Sequence, residues 1–174
     1  MTDTEVIQDL RARLGVPVGR HLYGVLGSYR SLQRFATHLQ QASSLDGLPF
    51  LPPLSVNHAI LEAIPDDQFK ELAAREADRP LYTIEHVRKA FESFLRAHMG
   101  QQPLLTLWQF ELLFAYNFEL HLLRTLATDD TRILLLLPGH REQSRIALYP
   151  QDRSATRILP TNLIADNHLW QLED

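Results

Sequence analysis

The feature that most restricts the fold is the aliphatic run in TRILLLLPG, residues 131–139. Asp-Asp lies just before this segment and Pro-Gly closes it, so turn residues bound the apolar run on both sides. Strands that are apolar on both faces are typical of parallel sheets covered by helices. The segment therefore predicts a strand that is buried on both faces.

Helical and extended patterns alternate along the rest of the chain. Residues 22–26 are a short apolar run, and Leu32, Phe35, Ala36 and Leu39 then recur at the spacing of a helix with one buried face. Such alternation predicts an α/β fold with a mainly parallel sheet of about five strands flanked by helices. Further strands are expected at 48–51 (an edge strand), at the start of 103–114 and at 144–150, and further helices at 4–14, 58–64, after Asp66 or Asp67, after Thr83 and at 117–127.

Composition limits the function classes. With 174 residues, 45% of them hydrophobic, the chain suits a single domain with a substantial core. The net charge of −4 argues against a general nucleic-acid coat. The absence of cysteine excludes disulfides and thiolate metal sites and favours a reducing cytoplasm. The N-terminus lacks the pattern of a signal peptide, and run 133–137 is too short for a bilayer, so no membrane role is expected.

The octet GVLGSYRS, residues 24–31, stands between a predicted strand and a predicted helix. A phosphate-binding loop reads G-x-x-x-x-G-K-[ST] at such a junction. Gly24, Gly27, Ser28 and Ser31 fit that scheme, but Tyr29 replaces the second glycine and Arg30 the lysine. An ordinary strand-turn-helix with Ser28 or Ser31 as the cap is the favoured interpretation of the octet taken alone.

A second stretch, residues 107–139, contains FELLF, LHLLRTL and a strand closing in LPG. In this order, and with the octet before it, the chain resembles the BrxF family, the small P-loop proteins of BREX bacteriophage-exclusion systems. The resemblance runs from about residue 5 to 150, with a poor match over 45–100. It implies a P-loop NTPase-like domain at 1–150, followed by a tail at 151–174 that docks on the domain or on a partner.

The resemblance also places Trp108 where the family has its Mg²⁺-coordinating Asp, while Glu111 is kept. Tryptophan supplies no oxygen ligand, so the metal anchor of phosphoryl transfer is missing. Together with Tyr29 and Arg30, this replacement implies a fold that no longer hydrolyses nucleotide. No cofactor is expected beyond residual ATP or ADP binding.

The polar segment GHREQSR, residues 139–145, follows the strand predicted from the aliphatic run at 133–137. Its favoured interpretation is a solvated hairpin, and the alternative is an anion or partner contact through Arg141 and Arg145. The scattered histidines show no metal-ligand spacing, and His121 and Glu119 are expected on different sides of a helix. No metal site or serine-hydrolase site is predicted.

The resemblance, with the replaced loop and metal positions, implies an accessory or regulatory subunit of a bacterial anti-phage system. Its expected partners are other proteins of that system: a larger ATPase, a methyltransferase or a phosphatase-like component, with nucleic acid reached only indirectly. One alternative is a divergent ATPase that uses Arg30, Ser31 and Glu111. The other is a nucleic-acid binder that uses Arg30, Arg141 and Arg145.

Overall fold

The central feature of the fold is the parallel pair formed by β1 (Leu22–Gly27) and β4 (Ile133–Glu142). The structure is a computed structural model that describes residues 1–143, 145–148, 157–160 and 162–173. The pairing runs from Leu22 opposite Ile133 to Gly27 opposite Pro138, and every residue of β1 is buried. The strand predicted from TRILLLLPG is thus confirmed, together with its burial on both faces.

Five parallel strands form the main sheet in the order β2-β3-β4-β1-β7, where β2 is Leu54–Ser55, β3 is Leu105–Trp108 and β7 is Leu169–Gln171. Past its pairing with β1, β4 continues into an antiparallel hairpin with β5 (Arg145–Leu148), which in turn pairs with β6 (Arg157–Leu159). The predicted α/β class and mainly parallel sheet are confirmed. The described part of the tail contributes strands to this same sheet.

Helices cover both faces of the sheet, as a doubly buried sheet requires. No helix among the described residues is long and apolar enough to cross a membrane. The helices are α1 (Asp3–Leu14), α2 (Tyr29–Gln41), α3 (Val56–Ala63), α4 (Asp66–Arg75), α5 (Pro80–His98), α6 (Glu111–Ala115) and α7 (His121–Leu126), with a short 3-10 helix at Asp166–His168.

Alternate residues of the central strands serve two separate cores. Leu135 and its neighbours in register pack with α3, α5, α6 and α7 on one face. Leu134 and Leu136 pack on the other face against α1, α2 and the indole of Trp170. Because β1 and β4 contribute side chains to both cores, the paired residues of these strands are packed on both faces of the sheet.

Several sequence-based expectations are wrong in detail. The helix expected after Thr83 already begins at Pro80, and Thr83 lies buried within it. Residues 48–51 form no strand, because the prolines at 49, 52 and 53 cannot donate to a ladder. They fold back on residues 42–44 through a Ser43–Pro49 bridge and through the N–H of Phe50, which donates to the Ala42 carbonyl at 3.4 Å. Phe69 and Ala73 lie exposed, because only Leu72 of α4 reaches the core. The helix expected at 117–127 begins only at His121.

A buried carboxylate joins the N-terminal helix to α2. Asp3 is 7% exposed, and both of its oxygens accept hydrogen bonds from Arg34, at 3.0 and 3.2 Å. His38 Nδ1 lies 2.7 Å from Asp3 Oδ2, and Arg34 also donates to the carbonyl of Glu173 in the tail. Burial alone would raise the pKa of Asp3, but the bonds and charge of Arg34, and then of His38, hold this pKa below its usual range.

We expect Asp3→Asn to lower the free energy of unfolding by about 2 kcal/mol at neutral pH, because the guanidinium loses a buried charged acceptor. The folded-state pKa of Asp3 is depressed, so its contribution is complete above the unfolded pKa of about 4 and is lost as pH falls through the folded pKa. Urea denaturation of both proteins as a function of pH measures this. The two stabilities should converge in acid, and the exposed control Asp78→Asn should show no such pH-dependent difference.

Candidate functional site

The octet forms a strand, a single capping residue and a helix. Gly24 to Gly27 lie inside β1, and α2 already begins at Tyr29, so Ser28 alone connects the two elements. The Ser28 hydroxyl accepts from the backbone N–H of Ser31 at 3.2 Å, which makes Ser28 the N-cap of α2. The strand-turn-helix interpretation is confirmed. Because β1 ends at Gly27 and α2 begins at Tyr29, the backbone offers no longer loop at this junction, and the phosphate-loop equivalence of the octet stays a prediction.

The two glycines of the octet have a packing explanation. A Cβ on Gly24 would stand 2.6 Å from Ile164 Cδ1 and 2.9 Å from Leu169 Cδ1. A Cβ on Gly27 would stand 2.5 Å from the hydroxyl of Ser31, which is buried and donates to the Ser28 carbonyl at 3.0 Å. The absence of a side chain at Gly24 therefore lets the tail pack closely against β1, and its absence at Gly27 leaves room for Ser31 in the first turn of α2.

A polar cluster lies where the octet meets the ends of two other strands. The hydroxyl of Tyr29 donates to Glu111 Oε1 at 3.0 Å, across 82 positions of sequence. The other carboxylate oxygen of Glu111 accepts from Asn57 Nδ2 at 2.7 Å. Both oxygens of this carboxylate are thus bound by protein donors, and we call Tyr29, Asn57 and Glu111 the carboxyl-edge cluster.

Sheet register explains why these three residues meet. Asn57 lies in the first turn of α3, which follows β2 directly; Glu111 opens α6 just after β3, and Tyr29 opens α2 after β1. The carboxyl ends of parallel strands share one edge, where ligands bind in open α/β sheets. A second pair of bonds fixes Asn57, whose N–H donates to the Gln109 carbonyl at 3.1 Å and whose Oδ1 accepts from the Leu112 N–H at 2.9 Å.

Trp108 ends β3 opposite Ser55 and packs partly buried against the α1–α2 core. Its neighbour Gln109 has a φ of 56°, so the chain turns sharply there before α6. The position at which the resemblance expects a metal-binding Asp is therefore occupied by a partly buried indole that packs against the core. Within the described ranges, no group of three or more His, Asp or Glu residues is placed to hold a metal ion.

The three arginines that the sequence suggests as anion, partner or nucleic-acid contacts lie in different surroundings. Arg30 is exposed on the first turn of α2. Arg141 donates to Asp166 Oδ1 at 2.7 Å, and its backbone N–H donates to the side chain of Gln171 at 3.0 Å. Arg141 therefore ties the β4–β5 hairpin to the tail, whereas Arg145 is exposed in the hairpin itself.

Sequence reasoning missed Asn57 and misplaced one pair. Asn57 stands after a strand of only two residues, and the sole signal for it was a polar side chain at a strand end. His121 and Glu119 were expected on different sides of a helix, but His121 Nε2 lies 3.4 Å from Glu119 Oε2 because Glu119 precedes α7. The side chains of the pair are largely exposed, and among the described residues the pair belongs to no group that could hold a metal ion.

Comparison of the chain with protein-family models, with curated proteins and with solved structures finds no significant match.

We expect Gly24→Ala to cost about 1–2 kcal/mol of unfolding free energy, because the new methyl group collides with Ile164 and Leu169. In an Ile164→Val background the Cδ1 atom nearest to that methyl is gone, so the same substitution should cost less. Urea denaturation of the two single variants and the double variant gives the coupling energy. Additive effects would contradict the packing explanation of Gly24.

Proposed function

We propose that the chain is a non-catalytic accessory or regulatory subunit of a bacterial anti-phage defence system, built on a P-loop NTPase-like domain and acting in the cytoplasm through contacts with other proteins. The observation that carries the non-catalytic part is the engaged carboxylate of Glu111, with Tyr29 on one oxygen and Asn57 on the other. The defence assignment rests on the resemblance over residues 107–139 and on the octet.

The sheet topology supports a P-loop-like origin for this domain. The chain leaves β1 through α2 towards β2 at one edge of the sheet, and it leaves β4 towards β7 at the opposite edge. The neighbouring carboxyl ends of β1 and β4 therefore form a topological switch point, the usual ligand crevice of such sheets. The octet lies at this point, where a phosphate-binding loop would stand in a working enzyme.

The contents of this crevice favour a lost activity. Phosphoryl transfer needs backbone donors and a Lys on the phosphates, an oxygen-ligated Mg²⁺ and a group that orients the nucleophile. Here the junction has one connecting residue, Arg30 replaces the Lys, and Trp108 stands at the metal position. Glu111 is the one remaining acid of that set, and its bonds to Tyr29 and Asn57 satisfy it without a ligand.

Exposed apolar side chains support a role in protein contacts. Leu81 is 79% exposed at the start of α5, and Phe69 of α4 and Leu61 of α3 are about half exposed on the same insertion between β2 and β3. Burial of exposed apolar side chains by a partner protein favours association. We propose this α3–α5 insertion as the contact region for a larger ATPase, a methyltransferase or a phosphatase-like component.

Phage plating on a host that carries the chain with its neighbouring genes tests this function. We expect deletion of the chain to abolish protection, and Glu111→Gln or Arg30→Ala to leave protection intact, because neither residue performs chemistry. Leu81→Asp should reduce protection by placing a charge on the contact region. Val18→Asp is the matched control, since Val18 is 73% exposed outside that insertion.

Each contrary outcome identifies a different error. Unchanged plating after deletion would contradict the defence role. Loss of protection in Glu111→Gln at normal protein level would favour the divergent ATPase with Arg30, Ser31 and Glu111. Loss of phage protection in Arg141→Ala or Arg145→Ala, together with DNA binding by the wild-type chain that weakens steeply as salt is raised, would favour the nucleic-acid binder.

A further inference from the structure

A cavity of about 500 Å³ lies at the opposite edge of the sheet from the carboxyl-edge cluster. Arg20 stands just before β1, Arg124 lies in the last turn of α7, and Asn162, Asn167 and His168 come from the tail before β7. The cavity thus lies near the amino ends of β1 and β7, and we call it the amino-edge cavity.

The charge in the amino-edge cavity is positive, although the chain carries a net charge of −4. Two cationic residues, Arg20 and Arg124, line it. The one acidic residue in the wall, Asp166, is already bound by Arg141 at 2.7 Å. Burial first, and then the charge of Arg13, lowers the pKa of His168, so that its imidazole adds hydrogen-bonding capacity and little charge near neutral pH.

Part of the wall is apolar, and the volume of the cavity suits a small ligand. Leu22, Leu163 and Ile164 line one part of the cavity. Small-molecule sites are concave spaces of roughly 300–1,000 Å³, mostly apolar, with a few convergent polar groups that fix the ligand. The amino-edge cavity meets this description in volume, and its lining combines an apolar part with several polar side chains.

We propose that the amino-edge cavity binds a small organic phosphate monoester, with the phosphate held by Arg20 and Arg124 and the organic part against the apolar wall. Arginine forms two parallel hydrogen bonds to phosphate oxygens, and two guanidinium groups match the charge of about −2 on a phosphate monoester better than the single charge of a carboxylate. The side-chain amides of Asn162 and Asn167 supply further neutral donors.

Ligand binding at this place would act on the tail. Residues 162–168 provide much of the cavity wall, and β7 follows them directly and pairs with β1. A ligand that bridges this segment to Arg20 and Arg124 adds contacts present only in the folded protein, so it raises the stability of the whole fold. The site is separate from the octet and stands whether or not the proposed function holds.

Calorimetric titration with AMP, ribose 5-phosphate and adenosine tests the proposal on the full chain. We expect AMP and ribose 5-phosphate to bind, adenosine to give no saturable heat, and Arg20→Gln and Arg124→Gln each to weaken AMP binding about tenfold or more. Arg96→Gln is the matched control, because Arg96 is an exposed arginine of α5 that does not line the cavity. Arg30→Ala should also bind AMP normally.

Unchanged unfolding temperatures of the ligand-free variants would show that any loss of affinity is local. Absence of AMP and ribose 5-phosphate binding at millimolar concentration would overturn the proposal. So would AMP affinity that Arg20→Gln and Arg124→Gln leave unchanged, or adenosine binding as strong as that of AMP.

Discussion

The parallel pairing of β1 with β4 is the constraint on which the rest of the structure depends. Six residues of each strand are in register, from Leu22–Ile133 to Gly27–Pro138, with helices over both faces. Because side chains alternate between two filled cores, a shift of one residue in this pairing would place every side chain of the strand on the wrong face. The register therefore fixes where α2 begins and which strand ends lie beside it.

This constraint also determines the chemistry of the carboxyl edge. The ends of β1, β2 and β3 are drawn into one polar cluster, and Glu111 receives Tyr29 and Asn57 as donors. In our account the tyrosine takes the place that a ligand would need in front of the acid. At this edge, where ligands bind in open α/β sheets, the polar side chains bond to one another, and the cationic cavity lies at the other end of the strands.

Local patterns were sufficient to predict the central elements. The continuous aliphatic run at 133–137 predicts a buried strand, and the helical spacing of Leu32, Phe35 and Leu39 predicts a helix with one buried face. Both predictions are confirmed. The octet was placed correctly at the junction, and its capping by Ser28 follows from short-range bonding.

Contacts between residues far apart in the sequence could not be predicted from the spacing of residues within a segment. The Tyr29–Glu111 bond requires the order β3-β4-β1, which no local pattern contains. The role of Gly24 depends on Ile164, a residue 140 positions later that packs over β1. The amino-edge cavity likewise joins Arg20 to Arg124 and the tail, and single arginines in loops or helix ends give no signal of convergence.

Calorimetric titration of Mg-ATP into the wild-type chain and into Arg30→Ala tests the central claim, that the junction between β1 and α2 is a structural connection and not a nucleotide site. The account predicts the same titration curve for both proteins, whatever heat the amino-edge cavity contributes. Saturable binding to the wild-type chain that is lost in Arg30→Ala would contradict it, and would mean that the octet still holds phosphate.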